Sequence, residues 1–177
     1  MKKIGVIIGH GGKDCGAVSI DGKVTELAFN TVIAEMLLIK LKENGYEAFK
    51  HNRGENKIEN IPLINSLKPD LIISLHANSA VDNSATGTEA IYYPTSTKGK
   101  RFAEILSKNV SQVLGLKNRG AKEPFNGRGS GLLKRTNAPC VISEPFFINN
   151  DSDLKIALNS KDKYVEAIIK SINEYFG

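Results

Sequence analysis

The chain alternates short, continuous apolar runs with longer stretches in which apolar residues recur every three or four positions. The run KKIGVII is short and β-rich, which predicts a strand beginning close to the N-terminus. Phe29, Ile33, Leu37 and Leu41, with Val32 and Met36 beside them, then form a broad helical stripe that Gly45 ends. YEAFKH reads as a second short strand. A weaker helix over Ile58 to Leu67 stops before Pro69, and LIISLHAN follows as a third strand. TEAIYYP predicts another strand, and Phe102, Ile105, Leu106, Val110 and Val113 predict a helix running to Gly115. From Lys117 to Gly131 the sequence is polar and glycine-rich with no period, which reads as a surface loop or lid. A short helix near Leu132 leads into the strand-like PCVISEPFF, and Val165, Ile168, Ile169, Ile172 and Phe176 mark a closing helix. Strands and helices in alternation predict an α/β fold, a mostly parallel sheet with helices on both faces.

Length adds that residues 1–177 suffice for one domain with one core and are short for two. A composition 41% hydrophobic and 24% charged is that of an ordinary globular chain. No apolar run approaches the roughly 18 residues of a membrane span. The N-terminus begins like a signal peptide, with two lysines and a short apolar run, but glycines and charge follow too early for an h-region and cleavage site. Cys15 and Cys140, far apart, form neither a disulfide framework nor a CxxC metal pair and read as small buried or partly buried residues. The net charge of +5 favours a polyanionic partner such as nucleic acid, an anionic membrane or an anionic cell wall. The basic residues are scattered, without the Lys/Arg runs and interleaved aromatics of a nucleic-acid groove, and a solvated basic surface is the plainer reading.

In a sheet of this kind ligands gather outside the carboxyl ends of the strands. His10 ends the first apolar run, in GVIIGHGGKDCGA; His76 ends LIISL, and Glu144 ends CVIS. Glu26 stands near the start of the first helix, which begins at that same edge. Each alone is a weak signal, because a histidine or glutamate at a strand end is commonly a hydrogen-bonding residue; the shared edge strengthens the joint reading. Two neutral imidazoles and one carboxylate can hold Zn²⁺ tetrahedrally and leave the fourth position to water, while a second carboxylate serves as general base and acid. Periodicity does not separate Glu26 from Glu144 by role. The glycines around His10 keep the turn tight and the approach to a metal clear. A phosphate-binding turn is the rival reading, since this turn also follows a strand and precedes a helix. However, it breaks the GxGxxG spacing, and the second strand ends in Lys-His where a ribose-binding acid belongs.

Lesser candidates have plain readings beside the functional ones. Asp14 is either a ligand or, more simply, a turn aspartate bonded to its own backbone. His51 reads as a surface histidine and Glu89 as a strand-face glutamate next to the site. Arg119 and Arg128, in the polar segment, are either solvated or placed to grip a carboxylate.

The stretches GHGGKDCGA, TELAFN around Glu26, SLHAN, GTEAIYYP and PCVISEPFFINND occur in order across nearly the whole chain. With them the sequence resembles the zinc-dependent N-acetylmuramoyl-L-alanine amidases of the amidase-3 type, which cut the lactyl amide joining peptidoglycan glycan to its stem peptide. The resemblance implies His10, Glu26 and His76 as Zn²⁺ ligands and Glu144 as the catalytic carboxylate. It implies a twisted six-stranded sheet between helices, of the phosphorylase/hydrolase-like kind. It also implies peptidoglycan as the partner, no organic cofactor, no nucleic acid and no membrane insertion, and we expect a monomer. One departure is Pro145-Phe146 after Glu144, where many members carry a small residue, so the neighbouring subsite's shape is not carried over. On this reading residues 1–177 are a catalytic domain without a wall-binding domain. With no leader evident, the expectation is a phage endolysin made in the cytoplasm and acting on the wall after release. A host lysin freed by mother-cell lysis, or a secreted amidase with its leader trimmed, fits the same sequence. A catalytically silent wall-binding module would explain the charge and leave the four converging residues without a purpose.

Overall fold

The apolar runs that open and centre the chain become the buried strands of one sheet. The structure, a computed structural model, describes every residue of the chain except Lys57, Ile58 and Arg128, and the side chains of Asn126 and Ser130 are set aside with them. Among the described residues six strands pair in the order β2-β1-β3-β6-β4-β5. They are β1 (Lys3–Ile8), β2 (Glu47–Asn52), β3 (Leu71–Leu75), β4 (Thr88–Tyr92), β5 (Asn118–Lys122) and β6 (Cys140–Glu144). All neighbours run parallel except β4 and β6, which are antiparallel with Glu89 opposite Glu144. That single reversal decides what reaches the site. The carboxyl ends of β1, β3 and β6 share one edge, and β4 and β5 bring their amino ends to it.

Strands β3 and β6 are buried throughout and β1 nearly so, which is why each reads as a continuous apolar run instead of an alternating one. Successive side chains point to opposite faces. Ile4, Val6, Ile8, Leu71, Ile73, Leu75 and Val141 meet helices α1 (Glu26–Glu43), α3 (Thr97–Leu114) and α6 (Lys161–Phe176) on one face. Ile7, Ile72, Cys140 and Ile142 meet α2 (Ile61–Ser66) and α4 (Ser130–Arg135) on the other. Between β6 and α6 lies α5 (Asp151–Asn159). Helix α1 starts where it does because Thr25 caps it, its hydroxyl accepting from Ala28 N at 3.2 Å. This fixes Glu26 as the first helical residue.

Three details differ from the sequence reading. The polar segment after Lys117 is not all loop: residues 118–122 form the edge strand β5, followed by a 3-10 turn at Phe125–Gly127. An edge strand held by backbone pairing needs no apolar period, and this one, NRGAK, has none. The helix expected from Ile58 begins at Ile61, where Asn60 caps it through Leu63 N; Ile58 itself lies outside the described residues. Helix α5 has a weak apolar stripe, and its start is set by Asn150, which accepts from Ser152 N and Asp153 N. No described helix is long and apolar enough to cross a membrane.

Candidate active site

His10 follows β1 by two residues in a left-handed backbone conformation, φ 67°. The glycines beside it make room for the two imidazoles. A Cβ on Gly9 would lie 2.5 Å from His76 Cε1 and 2.6 Å from Leu75 O, and one on Gly16 (φ 71°) would lie 2.6 Å from His10 Cδ2 and 2.7 Å from Glu26 Oε2. The turn is therefore shaped around the histidines.

Glu26 ties the arrangement together. Its carboxylate is only 3% exposed. Oε1 accepts from Ala77 N at 3.0 Å and lies 2.9 Å from His76 Nδ1. Oε2 accepts from Ala17 N at 3.0 Å and lies 3.2 Å from His10 Nε2. The two rings meet edge-on with centroids 5.3 Å apart. One donor atom from each of His10, Glu26 and His76 falls within 4.8 Å of the others. Two imidazole nitrogens and a buried carboxylate oxygen converging on one point are a donor set suited to a divalent transition metal, zinc first among them.

Without a metal the three groups hold one another. Burial would raise the Glu26 carboxyl, but the bonds from His10 and His76 outweigh it and keep it well below the usual range. The same bond from Glu26 lifts His10 from 6.5 to about 9, against the burial that would lower it. In the metal-free chain, His10 thus stabilises the fold fully below pH 6.5 and loses that contribution as pH rises through about 9. Glu26 contributes above pH 4.5 and loses its part as pH falls. The metal-free protein is accordingly expected to reach its highest unfolding midpoint between about pH 4.5 and 6.5. Midpoints that climb steadily from pH 6.5 to 9 would contradict this pairing. A metal must displace the His10 proton, so its affinity should rise over that same upper range.

Glu144 ends β6 on the strand next to His76, whose backbone N–H donates to Ser143 O at 3.0 Å. It is also 3% exposed and lines a cavity of about 310 Å³ with Asn78, Glu89, Arg119, Lys122 and Phe125. Glu144 therefore stands outside the donor set but at the same sheet edge. Glu89, its partner across β4, is occupied: Arg119 Nε donates to it at 2.5 Å and Asn78 Nδ2 at 2.9 Å. Arg119, also stacked over the Phe147 ring at 5.0 Å, is held in this pair while lining the same cavity. Arg128 lies outside the described residues.

Asp14 does more than bond its own turn. Oδ1 accepts from Gly16 N at 3.0 Å, and Oδ2 sits 3.1 Å from His10 Nδ1 and pairs with Arg53. The bond to His10, with those from Gly16 and Arg53 behind it, holds its carboxyl below the ordinary range. His51 is apart from the site, its Nε2 accepting from Asn60 N at 3.3 Å. Cys15 is partly buried and Cys140 fully so, its thiol pushed up to about 12 by burial. Sequence reasoning missed the parts played by Arg53, which carries no motif, and by Asn78, which closes the SLHAN stretch without being singled out in it. The signal available was position alone, since each follows the carboxyl end of a strand.

The sequence profile of the Amidase_3 family, N-acetylmuramoyl-L-alanine amidase, matches residues 4–174. The chain belongs to this amidase family. It is 30% identical to the uncharacterized protein YqiI of Bacillus subtilis, over 99% of this chain and 85% of that protein. It is also 30% identical to the N-acetylmuramoyl-L-alanine amidase LytC of Bacillus subtilis, over 95% of this chain but only 34% of LytC. The endolysin of Bacillus phage SPP1 is 27% identical over 90% of this chain and 59% of its own length. The catalytic domain of CwlV, an amidase from Bacillus (Paenibacillus) polymyxa, superposes with a TM-score of 0.87 at 27% identity, covering 99% of this chain and 98% of that domain. Pro145 and Phe146, which follow Glu144, are not among the residues that line the cavity. Phe146 is fully buried and packs edge-on against Phe29 at 4.9 Å, while Pro145 O accepts from Thr88 Oγ1 at 2.7 Å.

Proposed function

We propose that this amidase hydrolyses the bond between the lactyl group of N-acetylmuramic acid and L-alanine of the stem peptide. In this reading His10, Glu26 and His76 hold one zinc and Glu144 moves the proton. The observation that carries it is the convergence of three donor atoms within 4.8 Å at the sheet edge where Glu144 also ends its strand. When bound, zinc supplies Lewis acidity, polarising the amide carbonyl and lowering the pKa of water.

The chain's own residues do the rest. Ala17 N and Ala77 N pin the Glu26 carboxylate, so its oxygens keep facing the two imidazoles. Glu144 accepts the proton of the attacking water and returns it to the departing L-alanine nitrogen, leaving a lactyl carboxylate and a free amine. The Glu89–Arg119 pair neutralises the second carboxylate on that face, so Glu144 works without an uncompensated negative neighbour across the strand. The cavity beside Glu144, with exposed Phe125 at its rim, offers room for the substrate on one side of the scissile amide.

The likeness to a phage endolysin as well as to bacterial amidases supports a bacteriolytic enzyme that meets the wall after release, and the +5 charge suits an anionic wall. A silent wall-binding module would not need a buried carboxylate shared by two imidazoles. Digestion of purified peptidoglycan followed by mass spectrometry is the test. A free lactyl carboxylate on muramic acid together with a free L-alanine amine is the expected pair of new ends. New reducing sugars, cuts within the peptide, or no new ends at all would refute the reading.

A further inference from the structure

His10 offers its two ring nitrogens to two different carboxylates. Nε2 lies 3.2 Å from Glu26 Oε2, within the donor set. Nδ1 lies 3.1 Å from Asp14 Oδ2, on the other side of the ring. Asp14 is itself held from three directions. Its backbone pairs with Gly11 in both senses across the turn, at 3.0 and 3.1 Å; its Oδ1 accepts from Gly16 N at 3.0 Å; and its Oδ2 is paired with Arg53, which follows β2. The Arg53 side chain is only 16% exposed, unusual confinement for so long a cation.

We propose that Asp14 is a positioning residue for His10, its carboxylate accepting a hydrogen bond from Nδ1–H so that the Nε2 lone pair is directed at a metal, with Arg53 fixing Asp14 in that task. This rests on the zinc reading above.

The chemistry requires a partner of this kind. A neutral imidazole binds a metal through one nitrogen and carries its proton on the other, and that N–H needs an acceptor which also fixes the ring plane. His76 has less need of help. It directly follows a central strand, and its backbone is tied to Ser143. His10 stands one residue beyond Gly9, whose N–H makes the last bond to Leu75 O at 2.9 Å, and its backbone has already turned left-handed. With the ladder ended, ring orientation falls to a side chain. Three elements distant in sequence meet to provide it: the turn after β1, the residue after β2, and the buried start of α1.

The test uses the full chain, stripped by chelator and titrated with zinc against a chromophoric competitor. Asp14→Ala is expected to bind zinc about 10- to 100-fold more weakly than the parent, and Asp14→Asn to fall between the two. Histidine ¹⁵N spectra of the zinc-loaded parent should show His10 protonated at Nδ1 and bound through Nε2, a signature that a merely structural turn residue has no reason to set. An Asp14→Ala affinity within about threefold of the parent overturns the proposal, as does a His10 bound through Nδ1. If Asp14→Ala does not fold, the tautomer measured on the parent decides. A parent that binds no zinc sinks the zinc reading and this inference together. A parent that binds zinc beside an equally tight Asp14→Ala sinks this inference alone.

Discussion

Glu144→Ala is expected to lose about 10²-fold or more in turnover while still carrying nearly one equivalent of zinc. The two halves of that result come from different parts of the geometry. Glu144 contributes no atom to the group formed by His10, Glu26 and His76, so its truncation leaves the donors in place. His76 keeps its backbone bond to Ser143 O, which belongs to the residue before the substitution. What disappears is the carboxylate at the end of β6, the group proposed to take and return the proton. Because Glu144 is 3% exposed, the smaller side chain also leaves a small void, and Glu144→Gln serves as the control that keeps the volume and removes only the base. Both variants should unfold near the parent and turn over slowly. Metal analysis, an unfolding curve and the rate of release of new lactyl ends, measured on the same preparations, check all parts. A Glu144→Ala protein that is folded, zinc-loaded and fully active would remove Glu144 from the mechanism.

The positions of His10, His76 and Glu144 were legible because each directly terminates, or nearly terminates, an apolar run, and such runs form the buried strands of an α/β sheet. Glu26 was legible as a strand-edge residue, since a helix following β1 has to start at that edge. Its role was not, because burial and the paired bonds from Ala17 N and Ala77 N depend on where distant segments pack. The resemblance to the amidases, not periodicity, separated it from Glu144. Asp14 was half legible: the turn bond to Gly16 N is local in sequence, but Arg53 reaches it only because β2 pairs with β1. Strand β5 was hidden for a different reason. Its contribution is backbone pairing to β4 with a bulge between Thr88 and Glu89, which leaves no alternation to read. The same strand decides the fate of Arg119. Its guanidinium, which sequence places only in a polar segment, is set at the cavity wall as the partner of Glu89 once residues 118–122 lie against β4.

Glu26→Ala is expected to produce the heaviest loss of metal and a loss of stability with it. Three consequences follow from one truncation. The donor set loses its only carboxylate, so zinc affinity should fall by more than the roughly 100-fold that removal of an outer partner costs. Ala17 N and Ala77 N lose their acceptor, at about 1–3 kcal/mol for the buried Ala77 N–H and less for the part-buried Ala17 N–H, which water can reach. His10 and His76 lose the group that both rings face, so the turn after β1 loses its carboxylate link to the end of β3 and keeps the backbone bond from Gly9 N to Leu75 O and the edge-on ring contact. A metal that binds only the folded chain stabilises it by mass action, so excess zinc should restore part of the midpoint and part of the rate. It should not do so for Glu144→Ala. Glu26→Gln divides the effects further: the amide keeps an oxygen for one of the two N–H groups and nearly the same volume, but it is a poor zinc ligand. Stability should therefore recover more than affinity. If Glu26→Ala instead retains its zinc and its unfolding midpoint and loses only turnover, while Glu144→Ala arrives metal-free, the two carboxylates have exchanged roles and the assignment of Glu26 to the metal is wrong.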